Sequence, residues 1–451
     1  MADLPSAVTV RHSVKARHEY RGMRTAEHYF DLPLDHFGGS DETITVFARE
    51  YVSTDHTAEE TEELPWLVYL QGGPGGRGNR FASLGGWSKA AAKDFRILML
   101  DQRGTGLSSP IDRKTLPLRG GHADQAEYLT HFRADSIVAD AEAIRLALGS
   151  GRWTVYGQSY GGFCALSYLS FAPEGLREVL ITGGLAPLSG PADRVYRATY
   201  PRVAARNAEY FKKYPEDRPQ LNRIARHLSR TEEWLPGGER LTVERFQMVG
   251  SFLGGNTRID ALHHLLEDAF VMTPAGERLS DSFLDQVRSQ VSRAGNPLYA
   301  LMHESIYGQG EATNWAAWRV LDQFPQFAPD APQLLLTGEA VYPWYFEQDE
   351  SLVPLREVAA LLAGKNDWKP LYDPVRLARN TVPVAAAVYS EDIYVDRDLS
   401  LQTAAAVRGL QVWESRDFHH DGISDDGETI FGRLLGMVRS VRPSGLASRA
   451  H

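Results

Sequence analysis

The spacing of apolar residues changes several times along this chain, and each change marks a different element. Over 26–37 and 42–51 apolar and polar residues alternate, as in Ile44-Thr-Val-Phe-Ala-Arg-Glu-Tyr51. Gly38, Gly39, Ser40 and Asp41 lie between the two runs, so together they predict an antiparallel strand pair. Shorter, nearly continuous apolar runs follow at 64–70 (Leu-Pro-Trp-Leu-Val-Tyr-Leu) and 95–100 (Phe-Arg-Ile-Leu-Met-Leu), the pattern of strands buried on both faces. Between 133 and 148 the spacing becomes helical, with Ile137, Val138, Ala141, Ile144 and Leu148 on one side and Gly149 as the stop. A strand from Trp153, a helix to about Ser170, and a strand at 177–182 closed by Gly183-Gly184 complete the series. Strands alternating with helices in this way predict a mostly parallel sheet flanked by helices on both faces. Residues 1–20 are polar with scattered charges and predict a poorly ordered arm, and the acidic stretch 57–63 predicts a surface loop.

After Leu185 the alternation stops. Helical patterns occupy 195–210, 221–228, 243–253, 259–270 and 279–291, separated by Pro and Gly. Strand patterns resume at 382–390 and 410–414, and a last helix is predicted over about 428–441. The division this predicts is an α/β core over 1–185, an inserted helical cap over 186–370, and the remainder of the core over 371–451.

Composition narrows the function classes. The chain has 451 residues, 43% hydrophobic and 24% charged, which is ordinary for one large or two moderate globular domains. A net charge of -10 argues against a nucleic-acid partner. The single cysteine, Cys164, excludes an intrachain disulfide and a cysteine-based zinc cluster. Met1-Ala-Asp-Leu-Pro-Ser6 has no basic run leading into an apolar core, and no apolar run has the length of a membrane span. A soluble cytoplasmic protein, with no metal and no membrane partner, is the expectation.

Candidate chemistry centres on Gly157-Gln-Ser159-Tyr-Gly161, a G-x-S-x-G turn between a predicted strand and a predicted helix. In such a nucleophile elbow the serine hydroxyl is pushed out at the top of the sheet. The loop Gln71-Gly-Gly73-Pro-Gly-Gly76 follows a buried strand, and its backbone can approach another group closely. N–H groups beside Gly73 and at Tyr160 are candidate donors to an oxyanion. A serine nucleophile needs a base and a group to orient that base, in the chain order Ser, acid, His. Glu391-Asp392 follows one late strand and His419-His420 follows the next. Position at the strand end favours Asp392, with Glu391 and Asp396 as alternatives. The Asp421-Gly422 turn favours His420 over His419. Cys164 reads as a small core residue, and Asp101 with Arg103 reads as a structural ion pair.

The Gly-Gly-Pro-Gly loop, the Asp101-Gln-Arg-Gly-x-Gly-x-Ser108 segment and the Gly-Gln-Ser-Tyr-Gly-Gly elbow together resemble the prolyl aminopeptidases (proline iminopeptidases), serine peptidases of the α/β-hydrolase fold with a helical cap. The segments His303-Glu-Ser-Ile-Tyr307, 337–347 and Glu391-Asp-Ile-Tyr-Val395 are similar to the longer bacterial subgroup. The resemblance implies release of N-terminal proline from short peptides, with no cofactor. It implies Ser159, Asp392 and His420 as the triad and Gly73 and Tyr160 as oxyanion donors. Gln71 departs from the family pattern, in which many members have histidine there.

An enzyme that counts from a free N-terminus needs an anion facing the cationic amine. Glu304 is the first candidate in the insert, Glu339 the second and Glu347 the third. Tyr342, Trp344 and Phe346 are candidates for the pocket wall or for the core of the insert. Two other readings stand beside this one: an α/β-hydrolase acting on another small amide, ester or peptide, and a binding or scaffold protein that has lost catalysis. Hydrolases with an aspartate nucleophile on this fold are disfavoured, because position 159 is serine.

Overall fold

The computed structural model describes residues 10–38 and 40–440; Gly39, residues 1–9 and the predicted helix end at Val441 lie outside the described residues. Nine strands form one sheet. In chain order these are β1 (Arg11–Tyr20), β2 (Met23–Pro33), β3 (Thr43–Ser53), β4 (Trp66–Leu70), β5 (Arg96–Asp101), β6 (Trp153–Gln158), β7 (Leu176–Thr182), β8 (Val384–Tyr389) and β9 (Leu410–Ser415). Their spatial order is β1-β2-β3-β5-β4-β6-β7-β8-β9. The first three run antiparallel, and β5 onwards is parallel throughout.

The continuous apolar runs lie where both faces of the sheet are covered. Every residue of β4, β6 and β8 is buried. Side chains alternate across the sheet, so Leu67 and Tyr69 enter one apolar layer while Val68 and Leu70 enter the other. The first layer is closed by a helix over Gly422–Ser440, through Ile430, Phe431, Leu434 and Val438. The second contains the helix over Ala134–Ala147, and its apolar cluster continues without a break into Tyr200, Phe246, Leu262 and Phe283 of the segment between β7 and β8.

That segment is mostly helical, as its spacing predicts, with helices over Ala192–Lys213, Asp217–Arg230, Arg258–Glu267 and Asp281–Val291. It also holds two small hairpins, one of which pairs Phe270–Thr273 with Gly276–Leu279.

Three expectations need correction. Arg11–Tyr20 is not a loose arm but the edge strand β1, in antiparallel register with β2. Its polar composition suits an edge whose outer side faces solvent. Residues 58–63 are a short helix rather than a loop, because Thr57 and Glu60 form a reciprocal capping box at its start. Arg103 does not pair with Asp101. Its buried guanidinium binds Asp140 of the 134–147 helix and the carbonyls of Leu34 and His131, both at 2.7 Å. Asp101 instead accepts from Arg80 and from the Gly78 and Leu107 N–H groups, both at 2.9 Å.

The order around β4 positions the site. The chain passes from β4 to β5 on one side, and β6 lies on the other. Loops leaving the carboxyl ends of parallel strands beside such a reversal face a common crevice. The loops after β4, β6, β8 and β9 carry residues 71–76, Ser159, Asp392 and His420 respectively.

Candidate active site

Ser159 sits between β6 and the helix over Tyr160–Phe171 with φ 53° and ψ -122°. A non-glycine residue rarely adopts this backbone, which costs about 1–3 kcal/mol and is held only by its surroundings. Two hydrogen bonds hold it: the Ser159 N–H donates to Thr182 O at 3.0 Å, and Ser159 O accepts from the Gly162 N–H at 2.7 Å. The flanking glycines are required by close approach. A Cβ on Gly161 would lie 1.9 Å from the Leu70 carbonyl oxygen, and one on Gly157 would lie 2.4 Å from the Gly161 carbonyl oxygen.

The sequence-predicted partners converge on this serine. His420 Nε2 lies 2.9 Å from Ser159 Oγ, and His420 Nδ1 lies 2.9 Å and 3.1 Å from the two carboxylate oxygens of Asp392. Asp392 also accepts the Tyr394 and Val395 N–H groups at 2.8 Å and 3.0 Å, which fixes its carboxylate. With Asp392 as acceptor, the Nδ1 proton stays on that side and Nε2 is left to accept the serine O–H. Burial lowers the His420 pKa, but Asp392, Asp421 and Glu339 outweigh it and raise it to about 9.

The competing residues are engaged elsewhere. His419 Nδ1 lies 3.1 Å from the Glu391 carbonyl oxygen, Glu391 pairs with Arg202 at 3.3 Å, and Asp396 caps the helix over Arg397–Ala406. Cys164 is fully buried, and burial pushes its thiol pKa up.

The loop after β4 lies against the nucleophile. A Cβ on Gly72 would come within 3.1 Å of Ser159 Cβ, and Gly73 has φ 137°. The Tyr160 N–H is the first of its helix, so it has no intrahelical acceptor. Gln71 takes part through its carbonyl, which accepts from the Gln102 side-chain amide at 3.0 Å.

Two openings adjoin Ser159 and share Gly73, Ser159, Glu339 and Tyr394 in their walls. The smaller, about 30 Å³, is lined by Phe163, Val195, Tyr196, Ile306, Ile393 and Val395 together with Thr199, His303, Tyr307 and Glu339. The larger, about 360 Å³, is polar and also includes Ser159, His420 and Glu339, together with Arg258 and Arg293. The two carboxylates expected to face the amine therefore separate. Glu339 lines both openings, and Glu304 lines neither. The Glu304 carboxylate accepts the Ala316 and Ala317 N–H groups at 3.0 Å and 2.8 Å, at the start of a short helix, and burial raises its pKa to about 7. Glu347 is exposed near Arg356.

Tyr342 and Trp344 stack on one another, and Phe346 packs on Trp315; none of the three lines either opening. The aromatic walls are Tyr196, Phe163 and Tyr307 instead, with Tyr394 edge-on to His420 at 4.9 Å. Val195, Tyr196 and Thr199 lie within a helical pattern already legible in the sequence. Nothing in that pattern says which of its faces meets the serine.

Chemically, the arrangement offers a hydroxyl next to a base, a buried carboxylate orienting the base, and backbone donors beside the hydroxyl. Comparison with known proteins bears on the family. The family model for the alpha/beta hydrolase fold matches residues 65–234. A proline iminopeptidase of Aeromonas sobria is 48% identical over 421 residues, covering 93% of this chain and 97% of the relative. A proline iminopeptidase of Aspergillus aculeatus is 38% identical over 423 residues, covering 92% and 93%. Among solved structures, a 2-hydroxy-6-oxo-6-phenylhexa-2,4-dienoate hydrolase from Rhodococcus overlaps 96% of this chain and 100% of its own, with 14% identity and a TM-score of 0.41. The extent of the first two matches, across core and insert alike, decides the assignment: this chain belongs to the proline iminopeptidase family, on the α/β-hydrolase fold.

Proposed function

We propose that this protein is a serine exopeptidase that releases N-terminal proline from short peptides through an acyl-enzyme on Ser159. The observation that carries the reading is the run of hydrogen bonds from Ser159 through His420 to Asp392, beside a small pocket of aliphatic and aromatic side chains that one carboxylate, Glu339, also lines.

In this mechanism Ser159 Oγ attacks the prolyl carbonyl carbon while His420 Nε2 takes the hydroxyl proton. Asp392 holds the ring and stabilises the imidazolium that forms. The Gly73 and Tyr160 N–H groups receive the oxyanion. Collapse of the tetrahedral species breaks the C–N bond, and His420 returns its proton to the departing amine. Water activated by the same ring then hydrolyses the prolyl ester. No cofactor enters these steps.

Specificity follows from the pocket. The pyrrolidine ring would fill the smaller opening against its aliphatic and aromatic side chains, and its ammonium would face Glu339. Relative to an alanyl substrate, the ring adds two methylenes, worth about 1.6 kcal/mol or roughly 15-fold. Residues 186–370 act in this reading as a cap between core parts 1–185 and 371–451, supplying Glu339, Tyr196 and Tyr307, while Phe163 comes from the core. The proposed site of action is the cytoplasm. Among the described residues, no helix is long and apolar enough to cross a membrane.

Rapid mixing with a proline ester tests the proposal. Mass spectrometry should find one prolyl group on the peptide containing Ser159, and none in Ser159→Ala. Proline release that persists undiminished in Ser159→Ala would contradict it.

A further inference from the structure

The larger opening carries both signs of charge, and its two arginines differ in what already holds them. Arg258 is neutralised, with Nη1 donating to Asp421 at 2.8 Å. Arg293 forms no ion pair among the described residues. Its Nη1 reaches only the Gln290 carbonyl, at 3.3 Å, and its buried Nε has no hydrogen-bond partner. The nearby acid Asp349 is engaged by Arg245 at 3.3 Å and by the Arg293 backbone N–H at 2.9 Å. The Tyr299 ring lies 4.6 Å from the Arg293 guanidinium, steadying it against one wall. Burial lowers the Arg293 pKa, but Tyr345, Tyr299, Glu339 and Asp349 more than offset this, so the cation persists with Glu339 near it and not paired to it.

A fixed, under-bonded guanidinium beside a hydrolytic centre is suited to a carboxylate, which it can bind through two parallel N–H donors. We infer that Arg293 binds the C-terminal carboxylate of the leaving fragment, making proline-first di- and tripeptides the substrate class of this site. The inference rests on the proposed reading of Ser159 as the nucleophile that cleaves after N-terminal proline. Once the proline occupies the smaller opening, the leaving residues must run through the larger one. At about 3.3–3.6 Å per extended residue, the carboxylate of a di- or tripeptide stays close to the scissile bond. The volume, about 360 Å³, is at the small end for ligand pockets and suits a fragment of that size. Such a substrate is a zwitterion, with its ammonium facing Glu339 and its carboxylate facing Arg293. A longer chain would pass Arg293 without leaving it an anion.

One rival role is available on the same geometry: Arg293 as a positioning residue that holds Glu339 through its field. That role affects every free-amine substrate alike, whether or not the substrate has a carboxylate. Steady-state kinetics on Pro-Gly, on its C-terminal amide Pro-Gly-NH2 and on proline β-naphthylamide separates the two. Wild type should favour Pro-Gly over the amide by about tenfold or more, mainly through KM, the range of one charge-assisted hydrogen bond. Arg293→Gln should bring Pro-Gly down to the level of the amide, with a several-fold smaller loss on the naphthylamide. Arg293→Lys should keep part of the preference. Equal use of Pro-Gly and the amide by wild type would overturn the inference. So would a loss in Arg293→Gln as large on the naphthylamide as on Pro-Gly. Both results leave the aminopeptidase reading standing, whereas no turnover of any of the three by wild type would remove that reading and the inference with it.

Discussion

Acidification reads the state of His420 directly. The ring must be neutral at Nε2 to take the Ser159 proton, and its pKa is raised from 6.5 to about 9. The difference corresponds to about 3 kcal/mol in favour of the imidazolium. The sign follows: below pH 9 the ring is protonated, so the reactive fraction falls about tenfold per pH unit and reaches roughly 1% at pH 7. Substrates with a free amine titrate in the same range and would blur the limb. The cleaner assay is the rate of covalent inactivation by an uncharged phosphonofluoridate from roughly pH 6 to 10, with the adduct located on Ser159. We expect one ascending limb centred near pH 9. Asp392→Asn removes the largest of the groups that raise the pKa and leaves burial, which lowers it, against the smaller pull of Asp421 and Glu339. Its limb should therefore move down from about 9, and its plateau should drop by about four orders of magnitude as the tautomer is lost. A wild-type limb centred at 6.5, or an Asp392→Asn limb at the wild-type position, would refute the assignment of this carboxylate as the dominant partner.

Further consequences can be checked with single substitutions. Glu339→Gln should lower kcat/KM for proline β-naphthylamide by about 10- to 100-fold while barely changing the high-pH plateau rate of inactivation by the phosphonofluoridate, because only the former presents an ammonium. Glu304, whose pKa is raised from 4.5 to about 7 by burial, binds its proton more tightly when folded. Its contribution to stability is therefore complete below 4.5 and lost as pH rises through 7, so the thermal midpoint of Glu304→Gln should depend less on pH across that window than wild type. Asp140→Asn leaves the buried Arg103 charge uncompensated and should cost about 3–5 kcal/mol in denaturant unfolding; a cost near zero would contradict the pairing.

Local features were legible in the sequence because the chemistry that dictates them is local. The elbow is one example: Gly157 and Gly161 are adjacent to the serine they accommodate, and the strand and helix on either side are set by their own spacing. The order of strands and helices likewise gave the sheet and the loops that bear Asp392 and His420. What remained hidden depended on contacts between distant segments. Arg103 finds Asp140 rather than its neighbour Asp101 because the 134–147 helix packs over the loop. Glu304 and Glu339 look equivalent as sequence. Only the fold brings the Ala316 and Ala317 N–H groups to Glu304 and leaves Glu339 at the cavity wall. The strand Arg11–Tyr20 lacks an apolar signature because it lies at the sheet edge, where its pairing with β2 does the work that burial does elsewhere.

The most direct test of the central claim is hydrolysis of proline β-naphthylamide beside its N-acetylated form and alanine β-naphthylamide, by wild type and Ser159→Ala. The account predicts release from the free proline substrate that vanishes in Ser159→Ala, turnover of the alanine substrate lower by roughly 15-fold, and little turnover of the acetylated form. Equal turnover of the acetylated substrate, or a Ser159→Ala rate matching wild type, would contradict it.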